Sequence, residues 1–178
     1  MLLKTIMTIV FISINSFFTS SIYLQHYTLL NGSEEYLSHY EGKKMLIVNI
    51  ASESEFAAVQ IPQLEQLYQQ YHDSLIVICF PSNDFAKEPR SNSDIKLLMQ
   101  NTYHTTFPIS TKVGVKDSTV DLHPLFYWLQ HQSENGNINT KIRHDFQKFL
   151  VDKTGMIIGT FSENVNPNDS TIIKAILE

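Results

Sequence analysis

Ser54 occupies the position in this sequence where reaction chemistry is most readily expected. The run 45–51 before it is almost entirely apolar, which is typical of a central strand covered on both faces. Apolar side chains recur at helical spacing after it, which predicts a helix over about 57–71. A side chain at such a strand-to-helix turn meets free backbone N–H groups and the positive end of the helix. A cysteine there would be stabilised as a thiolate, whereas a serine would not ionise.

Five sequence blocks, one of them around Ser54, follow one another in a characteristic order and spacing. The first, residues 48–56, reads V-N-I-A-S-E-S-E-F. The others read C-F-P-S-N-D-F-A-K-E-P (79–89), F-P-I with K-V-G-V (107–115), H-P-L-F (123–126) and H-D-F-Q-K-F-L-V-D-K-T-G (144–155). Over roughly residues 22–178 the chain resembles the glutathione peroxidase family, whose first and last blocks read V-N-V-A-S-x-C-G-F and W-N-F-x-K-F-L-V-D-x-x-G.

This resemblance implies a fold and a catalytic site. The fold is α/β and thioredoxin-like, a three-layer sandwich in which helices flank a central mixed sheet, with a β-hairpin at the N-terminal side. The activity is reduction of hydroperoxides by a cysteine or selenocysteine that a glutamine, a tryptophan and an asparagine assist. Carried over by motif, these four positions are Ser54, Lys87, His144 and Asp145, with Lys87 matched across a block one residue shorter than the family's. None of the four catalytic residue types is retained.

These replacements predict a loss of peroxidase chemistry. A thiolate attacks the O–O bond and then carries the oxidising equivalents as a sulfenic acid or disulfide, and a serine hydroxyl does neither. Glu53 and Glu55 place negative charge beside Ser54, which would raise the pKa of a group ionising there. Asp145 offers only acceptors where the family has an amide donor. We therefore expect an inactive pseudo-peroxidase that binds a protein partner, or a thiol or peroxide small molecule, through the former active-site face.

Two enzymatic alternatives stay open. Cys79 is the only cysteine, and through it the chain could be a weakly active hydroperoxide reductase of the oxidative-stress response, dependent on glutathione or thioredoxin. Its apolar neighbours predict instead a buried core residue at the end of a strand, and a two-cysteine cycle within the chain is excluded by count. Ser54, His144 and Asp145 are also the residue types of an acyl-transfer triad, so a Ser54-based hydrolase is the second alternative.

A cofactor, a metal ion or a nucleic acid is not indicated by the sequence. His144, Asp145 and a nearby glutamate have ligand side chains but lack a metal-ligand spacing motif. The formal net charge is −5 and no run of lysine or arginine occurs, which argues against nucleic-acid binding. We expect neither a cofactor nor a metal site.

The N-terminal residues 1–21 have the composition of a secretory signal peptide. Lys4 precedes an apolar stretch that is short for a membrane span, and small residues follow at Thr19 and Ser21. We expect cleavage and export to a periplasm or the medium, which leaves a domain over 22–178 that is free of the membrane. An uncleaved membrane anchor and a buried helix are the alternatives.

The remaining elements follow from turn, capping and periodicity signals. Asn31-Gly32 predicts a hairpin within 22–43. A loop is expected over 130–140, and its shortness resembles the monomeric branch of the family, so we expect a monomer. Further strands are predicted at 75–80, 147–151 and 156–161, and further helices from Ser91 or Asn92, over 123–132 and from Asp169 or Ser170.

Overall fold

The computed structural model describes residues 20–178 of the protein. Most of the predicted signal peptide, residues 1–21, lies outside the described residues, so that interpretation stays a prediction. Within residues 20–178, no helix is both long enough and apolar enough to cross a membrane.

A four-stranded mixed sheet forms the centre of the molecule. Its strands are β3 (Lys44–Ile50), β4 (Leu75–Pro81), β5 (Lys148–Val151) and β6 (Ile157–Phe161). They stand in the order β4-β3-β5-β6, with β3 parallel to β4 and antiparallel to β5. Every residue of β3, β4 and β5 is buried, as the apolar runs predicted for strands covered on both faces.

A separate two-stranded hairpin precedes this sheet. Strands β1 (His26–Thr28) and β2 (Glu34–Tyr36) pair antiparallel. The turn between them uses Gly32 at a φ of +89°, where a side chain would be strained, and Asn31 Oδ1 accepts a hydrogen bond from the Ser33 N–H at 3.0 Å. The N-terminal hairpin predicted around Asn31-Gly32 is confirmed.

Helices cover both faces of the sheet and complete the three layers. The helices are α1 (Ala57–Tyr71), α2 (Asn92–Asn101), α3 (Pro124–Gln130), α4 (Gln132–Asn135) and α5 (Ser170–Leu177). One face of the sheet buries side chains of α1, α2 and α5, and the other buries side chains of α3. Ser91 and Asp169 cap α2 and α5 through their side chains, as their positions before apolar periodic segments predicted. The thioredoxin-like sandwich with its N-terminal hairpin is confirmed.

The segment 130–140 differs from the loop that its polar composition predicted. It contains the single-turn helix α4, which ends at Gly136 with a φ of +72°. Asn139 Oδ1 accepts a hydrogen bond from the Gln132 N–H at 2.7 Å, and Asn135 Nδ2 donates to the Trp128 carbonyl at 2.8 Å. These side-chain contacts satisfy polar backbone groups at a single helical turn. Such a turn is too short to show a helical periodicity in the sequence.

Candidate functional site

Ser54 lies in a tight turn between β3 and α1, directly before the first turn of the helix. Its N–H donates to the Ala51 carbonyl at 3.2 Å, and its own carbonyl accepts from the Ala57 N–H at 3.0 Å. The Ser54 Oγ accepts a hydrogen bond from the Phe56 N–H at 3.4 Å, and the residue is 7% exposed. The predicted setting, a side chain facing a free N–H at the start of a helix, is present.

Hydrogen bonds attach the loop after β4 to this turn, and they bring Lys87 close to the segment that carries Ser54. The Lys87 carbonyl accepts a hydrogen bond from the Glu53 N–H at 2.9 Å. Next in sequence, Glu88 is fully buried and accepts hydrogen bonds at 2.7 Å from both the N–H and the hydroxyl of Ser52. These bonds hold the Lys87 backbone against the segment that carries Ser54.

The segment before β5 is attached to the end of β3 through Asn49. Asn49 Nδ2 donates to the His144 carbonyl at 3.0 Å, and the Asn49 carbonyl accepts from the Phe146 N–H at 2.6 Å. Phe146 has a φ of +63°, so the chain makes a strained turn immediately after Asp145. This turn brings His144 and Asp145 to the same end of the sheet as Ser54.

One chain of polar contacts joins all four residues that the sequence singled out. Ser54 Oγ lies 3.5 Å from Glu55 Oε2, and Glu55 Oε2 pairs with Lys87 Nζ. Lys87 Nζ is 4.0 Å from Asp145 Oδ2, which is 3.7 Å from His144 Nδ1. Sequence reasoning named Glu55 only as a neighbouring charge and missed it as the connecting residue.

The Lys87–Glu55 ion pair stabilises the charged form of both its members. The hydrogen bond from Lys87 lowers the pKa of the Glu55 carboxyl. The same bond, with a smaller contribution from Asp145, raises the pKa of Lys87.

Asp145 is the most unusual residue of the site, because it is 1% exposed and neither carboxylate oxygen has a hydrogen-bond partner among residues 20–178. The neighbouring His144 Nδ1 is also buried without a hydrogen-bond partner there. The His144 ring stacks on Phe85 at 6.0 Å and meets Phe56 edge-on at 5.6 Å. The site that contains Ser54 and Lys87 thus holds a buried carboxylate next to a histidine that packs on aromatic rings.

Comparisons with known proteins agree with this architecture. The family model described as glutathione peroxidase matches residues 22–130. The chain belongs to the glutathione peroxidase family. It is 37% identical over 152 residues to the glutathione peroxidase homolog BsaA of Bacillus subtilis (strain 168), an alignment that covers 84% of this chain and 92% of that protein. It is 39% identical over 142 residues to a glutathione peroxidase-like peroxiredoxin of Chlamydomonas reinhardtii, which covers 79% and 85%.

Solved structures of glutathione peroxidases superpose on most of the chain. The crystal structure of Trgpx in its apo form has a TM-score of 0.66 at 30% identity and covers 90% of this chain and 98% of its own. The crystal structure of T. cruzi GPX1 gives the same TM-score at 27% identity, with coverages of 89% and 95%. The family fold therefore extends over the segments that carry Ser54, Lys87, His144 and Asp145.

The lone thiol of this family member is remote from solvent. Cys79 is 0% exposed and packs in the core among side chains such as Leu46, Val48 and Phe146. It lies two residues inside β4 rather than at the strand end that the sequence suggested. Burial raises the pKa of the Cys79 thiol well above its ordinary value. A buried, protonated thiol is a poor nucleophile.

The hydrolase and metal alternatives also find little geometric support. The hydrogen bonds of residues 20–178 include none between Ser54 and His144, although a triad needs that bond to activate the serine. In the same part of the chain, histidine, cysteine, aspartate and glutamate side chains do not gather into a group of three that could hold a metal ion.

Proposed function

We propose that this glutathione peroxidase family member is a pseudo-peroxidase, which does not reduce hydroperoxides and acts by binding at the face that contains Ser54 and Asp145. The observation that carries the proposal is the combination of a serine at the thiol position with a single cysteine that is fully buried. Relatives named peroxidase or peroxiredoxin support the family's chemistry as the ancestral activity. Here that chemistry lacks a soft nucleophile that peroxide can reach.

The charges around Ser54 support the same conclusion. Glu55 and Asp145 contribute two carboxylates to the chain of polar contacts that joins Ser54 to His144. The Lys87 ammonium forms its ion pair with Glu55. Glu55, whose Oε2 lies 3.5 Å from Ser54 Oγ, would oppose a developing negative charge on residue 54, whereas a peroxidatic thiolate needs stabilisation. Position 54 therefore lacks both the catalytic sulfur and the electrostatic environment that would stabilise a thiolate.

A peroxide consumption assay tests the proposal directly. Purified protein is given hydrogen peroxide or an organic hydroperoxide with glutathione as reductant, and separately with thioredoxin and its reductase. We expect consumption at the rate of the protein-free blank with both reductants. Turnover well above that blank would overturn the proposal.

The variant Cys79→Ser separates a weak Cys79 reductase from background. If wild-type protein consumes peroxide and the variant does not, the reductase alternative is correct and the pseudo-peroxidase proposal is wrong. Equal background rates in the two proteins are expected, because peroxide does not reach the Cys79 thiol in the folded core.

We also propose that the protein is exported as a monomer through cleavage of its N-terminal apolar segment. The composition of that segment supports the proposal. Cleavage after Ser21 would remove two hydrogen bonds, from Trp128 Nε1 to the Ser20 carbonyl at 2.6 Å and from the Tyr23 N–H to Ser21 Oγ at 3.3 Å. N-terminal sequencing of the mature protein, with gel filtration, tests the cleavage site and the monomer together.

A further inference from the structure

Three carboxylates near Ser54, those of Glu53, Glu55 and Asp145, form ion pairs with only two lysine or arginine side chains among residues 20–178. Glu53 pairs with Arg90 at 3.2 Å, and Glu55 pairs with Lys87. Asp145 is the third carboxylate. Its only ion pair with a lysine or arginine among residues 20–178 is the 4.0 Å contact with Lys87 Nζ, which Glu55 already binds. Three carboxylates therefore share two cations.

The least satisfied of these carboxylates is also the most deeply buried. Both oxygens of Asp145 lack a hydrogen-bond donor within the described chain, and Asn49 Oδ1 close to the same segment is likewise buried and unpartnered. A buried acceptor without a donor is costly, and a buried carboxylate without a full ion pair is more so. The site therefore favours a group that donates hydrogen bonds and carries positive charge.

Aromatic rings around His144 favour the same kind of group. Phe56 and Phe85 both contact His144, the neighbour of Asp145 in sequence. Lys116 Nζ lies 5.2 Å from the centroid of the Phe85 ring, so this ring already accepts one cation. Ammonium and guanidinium groups are attracted to aromatic faces, whereas anions are not.

We propose that this face binds a primary ammonium or guanidinium group of a ligand, and that Lys87 is the built-in occupant which that group replaces. The inference rests on the proposed binding role and names the ligand class for it. The incoming cation pairs with Asp145 and Glu55, and Lys87, whose side chain is 29% exposed, moves toward solvent. The excess carboxylate disfavours an anionic ligand at the same position.

A titration with n-butylammonium, a mimic of a lysine side chain, tests this site, and 1-pentanol serves as the uncharged probe of similar shape. Binding is followed by NMR through the His144 ring signals. We expect saturable binding of butylammonium to the wild type. Binding should be about tenfold tighter in Lys87→Met, because that variant removes the competing ammonium and leaves Asp145 without any cation. Pentanol should bind neither protein.

Two controls make the result specific. Lys116→Met removes another lysine from the same face and should leave butylammonium affinity at the wild-type level. Asp145→Asn should abolish binding both alone and together with Lys87→Met. Absence of saturable binding to Lys87→Met, or binding that survives Asp145→Asn, would overturn the inference. If Lys87→Met fails to fold, the wild-type titration decides, since the His144 signals must move with butylammonium and not with pentanol.

The peroxide assay is independent of this titration. Inert protein that binds no ammonium would leave the pseudo-peroxidase proposal standing and remove the cation site. Peroxide turnover together with ammonium binding would overturn the pseudo-peroxidase proposal and leave the cation site standing.

Discussion

Ser54 and Asp145 change the site in different ways. Ser54 removes the nucleophile, whereas Asp145 adds a buried charge with no hydrogen-bond donor. The second change matters because restoring sulfur alone would place a thiol among carboxylates. Glu55, 3.5 Å from Ser54 Oγ, and Asp145 would both disfavour its thiolate form.

We therefore expect Ser54→Cys to remain nearly inert in peroxide consumption with thioredoxin or glutathione. The matched comparison is Ser54→Cys with Lys87→Gln, His144→Trp and Asp145→Asn, which restores all four family residue types. We expect this fourfold variant to exceed the single variant by on the order of a hundredfold, because positioned donors and acids contribute factors of that size. Full activity in the single variant would show that the missing sulfur alone silences the site.

At the scale of elements, α3 begins with an unusual capping residue. The neutral Nδ1 of His123 accepts a hydrogen bond from the Leu125 N–H at 3.2 Å. Burial lowers the pKa of His123 to about 4; the charge of His26 lowers it further and that of Glu34 opposes the shift. The imidazole also packs near Phe80 and Phe126. Protonation would remove the cap's acceptor and bury a charge.

His123 should make the protein less stable in acid. The unfolded chain binds this proton near the ordinary pKa of 6.5, and the folded chain binds it only near 4. Its contribution is therefore fully present above about pH 6.5 and is lost as the pH falls toward 4. We expect a loss of roughly 2 kcal/mol in unfolding free energy between about pH 7 and pH 5, measured by urea denaturation. His123→Asn keeps a capping side chain without titration and should lose this pH dependence, and an unchanged dependence in that variant would contradict the assignment.

The β5–β6 turn fixes the N-terminal segment to the sheet. Gly155 has a φ of +89°, and a Cβ built there would lie 3.0 Å from the Tyr23 ring and 3.1 Å from Ile22. Gly155→Ala should therefore cost about 1–3 kcal/mol and lower the melting temperature by several degrees, as followed by circular dichroism. Gly32→Ala, with a similar φ but open space around its Cβ, is the matched control and should cost less. Equal losses would show that the contact with Tyr23 contributes nothing.

The elements that the sequence predicted well are those with strong local signals. The strand and helix on either side of Ser54 have apolar patterns of the appropriate period, and the predicted helix over 57–71 coincides with α1. Helix α4 was missed because its stability comes from Asn135 and Asn139 side chains rather than from periodicity. Likewise, motif matching identified the four site residues, but the link through Glu55 depends on where a side chain points in space.

At the scale of the whole molecule, the family fold is present, while Ser54, Lys87, His144 and Asp145 stand at the positions matched by motif to the family's catalytic residues. Three segments that are distant in sequence meet at one end of the thioredoxin-like sheet. Hydrogen bonds of Glu88 and Asn49 hold them there. This arrangement and the N-terminal composition support the proposal of an exported binding protein.

Export should be visible in a fractionation experiment with the full-length chain in a bacterial host. We expect the protein in the periplasm or the medium at a mass that lacks residues 1–21, because the apolar segment after Lys4 has the composition of a secretory signal peptide. Substitution of two apolar residues in that segment, such as Ile9→Asp and Ile12→Asp, should retain the unprocessed chain in the cytoplasm. Full-length protein that stays in the membrane fraction would favour the anchor instead.

The most direct test of whether this protein has peroxidase chemistry is the oxidation of the Cys79 sulfur by hydrogen peroxide. Native protein is mixed with an equimolar amount of hydrogen peroxide, and the peptide containing Cys79 is analysed by mass spectrometry before and after a reductant is added. We expect an unmodified thiol, because Cys79 is fully buried and burial raises its pKa. Rapid, stoichiometric and reversible addition of one oxygen atom at Cys79 would contradict it.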